Sequence, residues 1–241
     1  MRINRFLARA GVVSRRGADA LVEAGRVRLN GETVTQLGTT VDSDRDRVEL
    51  DGVVVTLPES LTYIALNKPP GVVVTMSDPH GRRTVADLVG GVAAGVVPVG
   101  RLDAGTEGLL ILTDDGELAH RIAHPSFEID KVYEVKARGV LSNEERRWLE
   151  EGVTLDGRPT SPATVLILST ERDTTLAEIT IHEGRKRQVR RMFELVGHPV
   201  TGLRRTRVGP VELGDLPSGQ WRCLGAGELR ALREALEMAP E

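Results

Sequence analysis

With 241 residues, 40% of them apolar, and a net charge of −3, the chain has the length and apolar content for one large domain or a small domain beside a larger one. Two Trp, two Tyr and three Phe leave its core to Val, Leu, Ile and Ala. The single cysteine, Cys223, excludes an intramolecular disulfide, fits a reducing compartment and is expected as a small buried hydrophobe. No apolar stretch approaches the about 20 residues of a membrane helix, and no signal-type apolar block opens the sequence, so a soluble cytoplasmic protein is expected.

Residues 2–10 place Ile3, Phe6, Leu7 and Ala10 on one side at helical spacing, with Arg2, Arg5 and Arg9 on another. Gly11 reads as the end of that helix. Ser14 reads as the N-cap of a second helix over Arg15–Ala24, closed by Gly25. Arg26–Leu29 alternates like a strand, and Asn30-Gly31 is a strong hairpin signal. Further strands are predicted near Thr39–Val41 and over Val48–Val55. Seven arginines against Asp19 and Glu23 make residues 1–31 basic within a mildly acidic chain, a pattern that points to local phosphate contacts. The helix–helix–hairpin order, with Arg on both helices and the ending Gly25-Arg26-Val27-Arg28-Leu29-Asn30-Gly31, resembles the S4-type RNA-binding domain. That resemblance makes Arg5, Arg9, Arg15, Arg16, Arg26 and Arg28 the expected grips on RNA phosphates. Between 6 and 10 such contacts would weaken binding roughly 10³–10⁵-fold from 50 to 200 mM salt.

Thr56–Ser60 reads as a linker, so domains over 1–60 and 61–241 are expected. Tyr63–Asn67 reads as a strand leading into Lys68-Pro69-Pro70-Gly71, where proline forbids regular ladder pairing and Lys68 could face phosphate. A short helix is predicted over Thr84–Leu88. The apolar run Val96–Val99 reads as a buried strand entering the Gly100-Arg101-Leu102-Asp103 loop, and a second strand leaves it toward Thr113. Asp114-Asp115-Gly116 caps a helix over Glu117–Ala123 that His124-Pro125 stops. Lys131–Ala137 and Leu176–Ile181 alternate as strands; Ser142 begins a helix to Glu151, and helices are predicted over Arg187–Val196 and Gly225–Met238. Residues 182–208 form a second basic segment, with eight Lys and Arg against Glu183 and Glu194. Strands and helices mixed without strict alternation predict an α+β fold on a mainly antiparallel or mixed sheet.

The stretch Gly100-Arg101-Leu102-Asp103, followed by Thr106 and Gly108–Gly116, resembles the catalytic signature of the pseudouridine synthases, in the rRNA-modifying branch of RsuA and RluB type. Asn67-Lys68-Pro69, Lys131-Val132-Tyr133 and Glu183–Phe193 match that family's other motifs in order. The reaction breaks the N1–C1′ bond of a uridine, turns the base and rebonds it through C5. A held carboxylate can attack or stabilise the sugar carbon. The resemblance makes Asp103 the nucleophile, Tyr133 the aromatic against a flipped-out base, and Arg190 the partner of Asp103. Arg101 would enter the space that the base vacates, while Arg185, Lys186 and Arg187 would hold RNA or their own loop. It implies ribosomal RNA as the partner, 23S rRNA within a pre-ribosomal particle, with 16S rRNA as the alternative and a monomer sufficient.

No cofactor or metal is expected. His120 and His124 have a zinc-compatible spacing but no third ligand nearby in sequence, and neither a dinucleotide fingerprint nor a Walker loop is present. A non-catalytic RNA-binding assembly factor is the rival reading. Asp103 with its tyrosine and arginine opposes it, because binding phosphates needs no carboxylate.

Overall fold

The first 62 residues close their apolar positions on one another. In the computed structural model, which describes residues 1–92 and 95–239, α1 (Ile3–Arg9) ends just before Gly11, which turns left-handed at φ 73°. Ser14 caps α2 (Arg15–Glu23), its Oγ accepting from the Gly17 amide at 3.1 Å, an interaction worth about 1 kcal/mol. β1 (Val27–Leu29) and β2 (Glu32–Thr33) form the hairpin across Asn30-Gly31. The single strand expected over Val48–Val55 is instead a second hairpin, β3 (Val48–Leu50) and β4 (Val53–Val55). Asp51 and Gly52 both take positive φ, as an Asp-Gly turn requires. Near Thr39–Val41 only a bridge from Thr40 to Arg2 forms. The sheet order is β2-β1-β3-β4, and Ile3, Phe6, Leu7, Ala18, Val22 and Val27 bury together against it. Thr113–Asp115 groups with this unit, where the Asp114 carboxylate accepts from the Thr62 amide at 2.7 Å.

The second unit begins at Tyr63, and of its strand residues only Val97 and Thr113, each at a strand end, group with the first unit. Its strands are β5 (Tyr63–Lys68), β6 (Val97–Pro98), β7 (Glu107–Thr113), β8 (Lys131–Arg138), β9 (Thr154–Leu155), β10 (Arg158–Pro159), β11 (Thr164–Glu171), β12 (Thr174–Ile181), β13 (Val200–Val208), β14 (Val211–Glu212) and β15 (Trp221–Cys223). Its helices are α3 (Gly116–Ala123), α4 (Asn143–Glu151), α5 (Gln188–Leu195) and α6 (Ala226–Ala235). The main sheet runs β11-β12-β8-β13-β7-β5-β15, with β14 beside β13 and β6 beside β7. The β11–β12–β8–β13 ladders are antiparallel, whereas β13 runs parallel to β7. The fold is therefore α+β on a mixed sheet. β5 is buried along its whole length and β7 nearly so, as expected of central strands covered on both faces. β12 buries alternate residues, the pattern of a strand with one wet face. Ser142 and Glu145 form a reciprocal capping box at the start of α4.

Several expectations are corrected. Thr84–Leu88 is a turn, not a helix, because the Asp87 carboxylate takes both the Thr84 amide and its hydroxyl, at 2.7 and 3.1 Å. The strand before the Asp103 loop is only Val97–Pro98, with Val97 exposed. Cys223 is exposed rather than buried, since it lies on β15 at the end of the sheet order, paired only to β5. Among the described residues no helix is long and apolar enough to cross a membrane.

Candidate active site

Asp103 lies in the loop between β6 and β7, which Gly100 turns at φ 70°. The loop is held by packing beneath it and by hydrogen bonds. Leu102 is buried beneath it, the Thr106 amide donates to the Asp103 carbonyl at 2.9 Å, and the Ala104 carbonyl accepts from the Gly71 amide at 2.8 Å. Lys68 adds a fourth hold. It is completely buried, and its Nζ donates to the carbonyls of Ala104 at 3.2 Å and Pro69 at 2.9 Å. It cannot face phosphate as the sequence suggested; the Asn-Lys-Pro element instead points its ammonium inward under the Asp103 loop. Burial pulls the Lys68 pKa down to about 8, against the upward pull of Glu107 and Asp103.

The Asp103 side chain is 38% exposed, and Arg187 Nη1 stands 3.9 Å from its Oδ2. Arg190, read from the sequence as the partner of Asp103, directs its guanidinium to backbone. Nη2 donates to the Gly105 carbonyl at 2.8 Å and Nη1 to the Val200 carbonyl at 3.2 Å, while its buried Nε has no partner. Burial and then Arg187 pull the Arg190 pKa down, and the Asp103 charge raises it. Arg190 thus ties the loop one residue pair beyond Asp103 and supports the carboxylate through space, while Arg187 makes the ion pair.

The loop that carries Arg187 is itself braced. Glu183 Oε1 accepts from the Ser161 amide at 3.0 Å and from Gln188 Nε2 at 2.7 Å. Arg185 donates to Glu183 at 3.1 Å and to the carbonyls of Arg158 and Pro159 at 3.0 and 2.5 Å. Arg185 therefore spends its fork on protein. Lys186 is exposed, and Arg187 takes a left-handed φ of 53° as the residue before α5.

A cavity of about 100 Å³ opens beside this loop, lined by Val99, Gly100, Arg101, Ile111, Lys131, Tyr133, Gly184, Arg205 and the Ile122–Ala123 end of α3. Tyr133 is buried on β8, and Arg101 is exposed. Two cations for which the sequence suggested no role of their own border the space. Arg205, on β13, is 5% exposed and donates through Nε to the Leu109 carbonyl at 2.7 Å. Lys131 donates to the Ile129 carbonyl at 2.8 Å; burial, then the Arg205 charge, bring its pKa down to about 8. Gly108 makes the packing possible. It pairs with Arg205 across the parallel ladder, and a Cβ there would stand 2.2 Å from the Arg205 carbonyl oxygen. The signal for these residues was their neighbourhood, Lys131 two before Tyr133 and Gly108 five after Asp103, although their convergence depends on the β8–β13–β7 order.

In the first unit, Arg5, Arg15, Arg16 and Arg28 are exposed. Arg26 is engaged by the Asp51 carboxylate at 2.9 and 2.5 Å. Arg9 is half-buried, its Nε enclosed and without a partner. His120 and His124 stand with ring centroids 5.0 Å apart, and among the described residues no cluster of three metal-ligating side chains exists.

Comparison with known proteins gives this geometry its class. Residues 62–195 match the RNA pseudouridylate synthase family and residues 1–48 the S4 domain. The chain belongs to the RNA pseudouridylate synthase family, and its activity is the isomerisation of uridine to pseudouridine in RNA. It is 42% identical to ribosomal large subunit pseudouridine synthase B of Bacillus subtilis (strain 168), over 96% of this chain and 95% of that one. It is 44% identical to an uncharacterized RNA pseudouridine synthase of Aquifex aeolicus (strain VF5), over 98% and 95% of the two chains. A solved pseudouridylate synthase is similar in structure, with a TM-score of 0.69 and 33% identity over 96% of this chain and 99% of its own.

Proposed function

We propose that the chain modifies a uridine of 23S rRNA, with Asp103 as the nucleophile and the target base flipped into the cavity beside Tyr133. The observation that carries the reading is one half-exposed carboxylate on a braced loop whose Gly100 and Arg101, two to three residues before it, line a small cavity with Tyr133, Lys131 and Arg205. The large-subunit assignment draws on similarity to relatives named for that subunit, such as the Bacillus subtilis protein.

As the N1–C1′ bond breaks, the uracil leaves with negative charge spread over its ring and carbonyl oxygens. Lys131 and Arg205 are fixed cations at the cavity wall, and preorganised charge of this kind favours the transition state. Asp103, with Arg187 beside it and Arg190 nearby, bonds through a carboxylate oxygen to C1′ as N1 leaves it. The base then turns, C5 bonds to C1′ as the Asp103 oxygen leaves it, the C5 proton leaves and N1 regains one, so atoms and charge balance with no redox step. Tyr133 offers a flat face to the ring, and Arg101 at the mouth would fill the gap in the RNA stack, offsetting the few kcal/mol that flipping costs. The exposed arginines of the first unit, Arg5, Arg15, Arg16 and Arg28, would grip rRNA phosphates. A uridine in 16S rRNA is the alternative substrate.

The test is incubation of the purified protein with deproteinised 23S and 16S rRNA from a strain lacking the gene, followed by nucleoside analysis of each RNA. New pseudouridine in 23S rRNA, absent with Asp103→Asn, is the expected result. Product in 16S rRNA alone would move the substrate to the small subunit. Product formed by Asp103→Asn would remove Asp103 as the nucleophile.

A further inference from the structure

The sequence motif His124-Pro125-Ser126 has no part in the chemistry above, yet it builds an unusual surface. The described chain is poor in aromatic rings, but three rings gather at the end of α3. His120 and His124 are 5.0 Å apart between centroids, and Phe127 meets them edge-on at 6.0 and 6.2 Å. Arg121 stands over the Phe127 ring at 5.4 Å. That guanidinium is itself fixed by the carbonyls of Leu236 and Glu237, at 2.7 and 3.0 Å, and by Glu117 at 3.0 Å. His124 is also fixed. Its Nδ1 accepts from the Ser126 amide at 3.3 Å and lies 2.8 Å from the Ser126 hydroxyl, capping the 3₁₀ turn Pro125–Phe127. Both histidines are nonetheless exposed.

A buried core would have covered such rings, and a metal site would have added a third ligand. The rings instead flank, along the chain, two residues of the cavity wall. Ile122 and Ala123 line the cavity wall, His124 follows α3 directly, and His120 lies three residues before Ala123 on the same side of the helix. We propose that His120, His124 and Phe127 form a stacking platform for the unpaired base next to the target uridine. The inference rests on the reading that the cavity receives that uridine. Single-stranded bases are held by flat side chains because every base has a π-face. A flipped nucleotide also leaves its neighbour unstacked, and a fixed ring at the cavity rim recovers that lost stacking. The platform would therefore favour RNA whose neighbouring nucleotide is unpaired, which makes it a determinant of site choice.

Two substitutions at His124 separate ring stacking from turn capping. His124→Phe keeps a ring and loses the Nδ1 acceptor, whereas His124→Asn keeps a capping acceptor and loses the ring. Single-turnover kcat/KM for pseudouridine formation on deproteinised rRNA should stay within about twofold for His124→Phe. It should fall about fivefold or more for His124→Asn, the scale of losing one stacked base. Ultraviolet crosslinking of the unmodified protein to the same RNA should yield a crosslinked peptide containing His120–Phe127. This second readout needs no turnover, so it separates failure of the platform from failure of the uridine reading. Full kcat/KM with His124→Asn, loss with His124→Phe alone, equal loss in both, or RNA crosslinks that avoid this peptide would each overturn the proposal.

Discussion

Replacing Lys68 with methionine separates what holds the Asp103 loop from what holds the fold. Lys68 is fully buried, and its pKa falls from 10.5 to about 8. At about 1.4 kcal/mol per unit, keeping it charged at neutral pH costs the folded state about 3 kcal/mol. Methionine fits a similar volume without that cost. Against this, the Pro69 carbonyl loses the Lys68 Nζ bond at 2.9 Å, and an unsatisfied buried acceptor costs about 1–3 kcal/mol. The Ala104 carbonyl keeps its bond from the Gly71 amide, so its loss is smaller. The two effects are comparable, and the net change in stability should lie within about 2 kcal/mol, a Tm shift of no more than about 8 °C for a chain of this size. The loop, by contrast, loses its tether one residue after Asp103. A misplacement near 1 Å costs about 100-fold in rate. Calorimetry and single-turnover kinetics on rRNA should therefore show near-normal melting with kcat reduced about 10- to 100-fold. Unchanged kcat, or a melting point lowered far beyond that range, would refute the tether.

Asp103→Asn should leave melting and RNA affinity nearly unchanged while abolishing product, as measured by nucleoside analysis. Gly108→Ala should lower Tm by about 6 °C or more, from a cost of at least about 3 kcal/mol, because the new Cβ falls 2.2 Å from the Arg205 carbonyl oxygen at φ 102°; wild-type melting would contradict that close approach. Arg15→Ala with Arg28→Ala should weaken rRNA binding and lower the slope of log K against log salt by about 1.4–1.8, at about 0.7–0.9 per phosphate contact, with the single-turnover rate unchanged at saturating RNA. Stability to urea should rise with pH between about 8 and 10.5. Lys68 and Lys131 have folded pKa values of about 8 against 10.5 in the free chain, so in that window the unfolded state binds more protons; a flat or falling profile would contradict their burial.

Much of this architecture is legible in local sequence. Ser14, Asn30-Gly31 and Ser142 each mark an element boundary through a side chain or turn whose geometry is settled within a few residues. The Asp103 loop and the Tyr133 strand are legible for the same reason. What escaped depends on neighbours distant in sequence. Lys68 reads as a surface cation, yet its ammonium donates a hydrogen bond to the Ala104 carbonyl, 36 residues on. Arg205 reads as one of several basic residues on a polar strand, and only the parallel β13–β7 ladder puts it against Gly108. The choice between Arg187 and Arg190 beside Asp103 turns on the left-handed backbone at Arg187, which no helical periodicity reveals. Thr84–Leu88 reads as a helix, but the Asp87 carboxylate takes up the amide and hydroxyl of Thr84 in a local turn, an arrangement that competes with helix.

The central claim, that Asp103 drives isomerisation of one rRNA uridine, is tested most directly in the cell. Carbodiimide treatment and primer extension would map pseudouridine across 23S and 16S rRNA in a strain lacking the gene, with and without complementation. One stop in 23S rRNA should disappear with the gene, return with the unmodified protein and stay absent with Asp103→Asn. Identical maps in all strains, or a stop restored by Asp103→Asn, would contradict it.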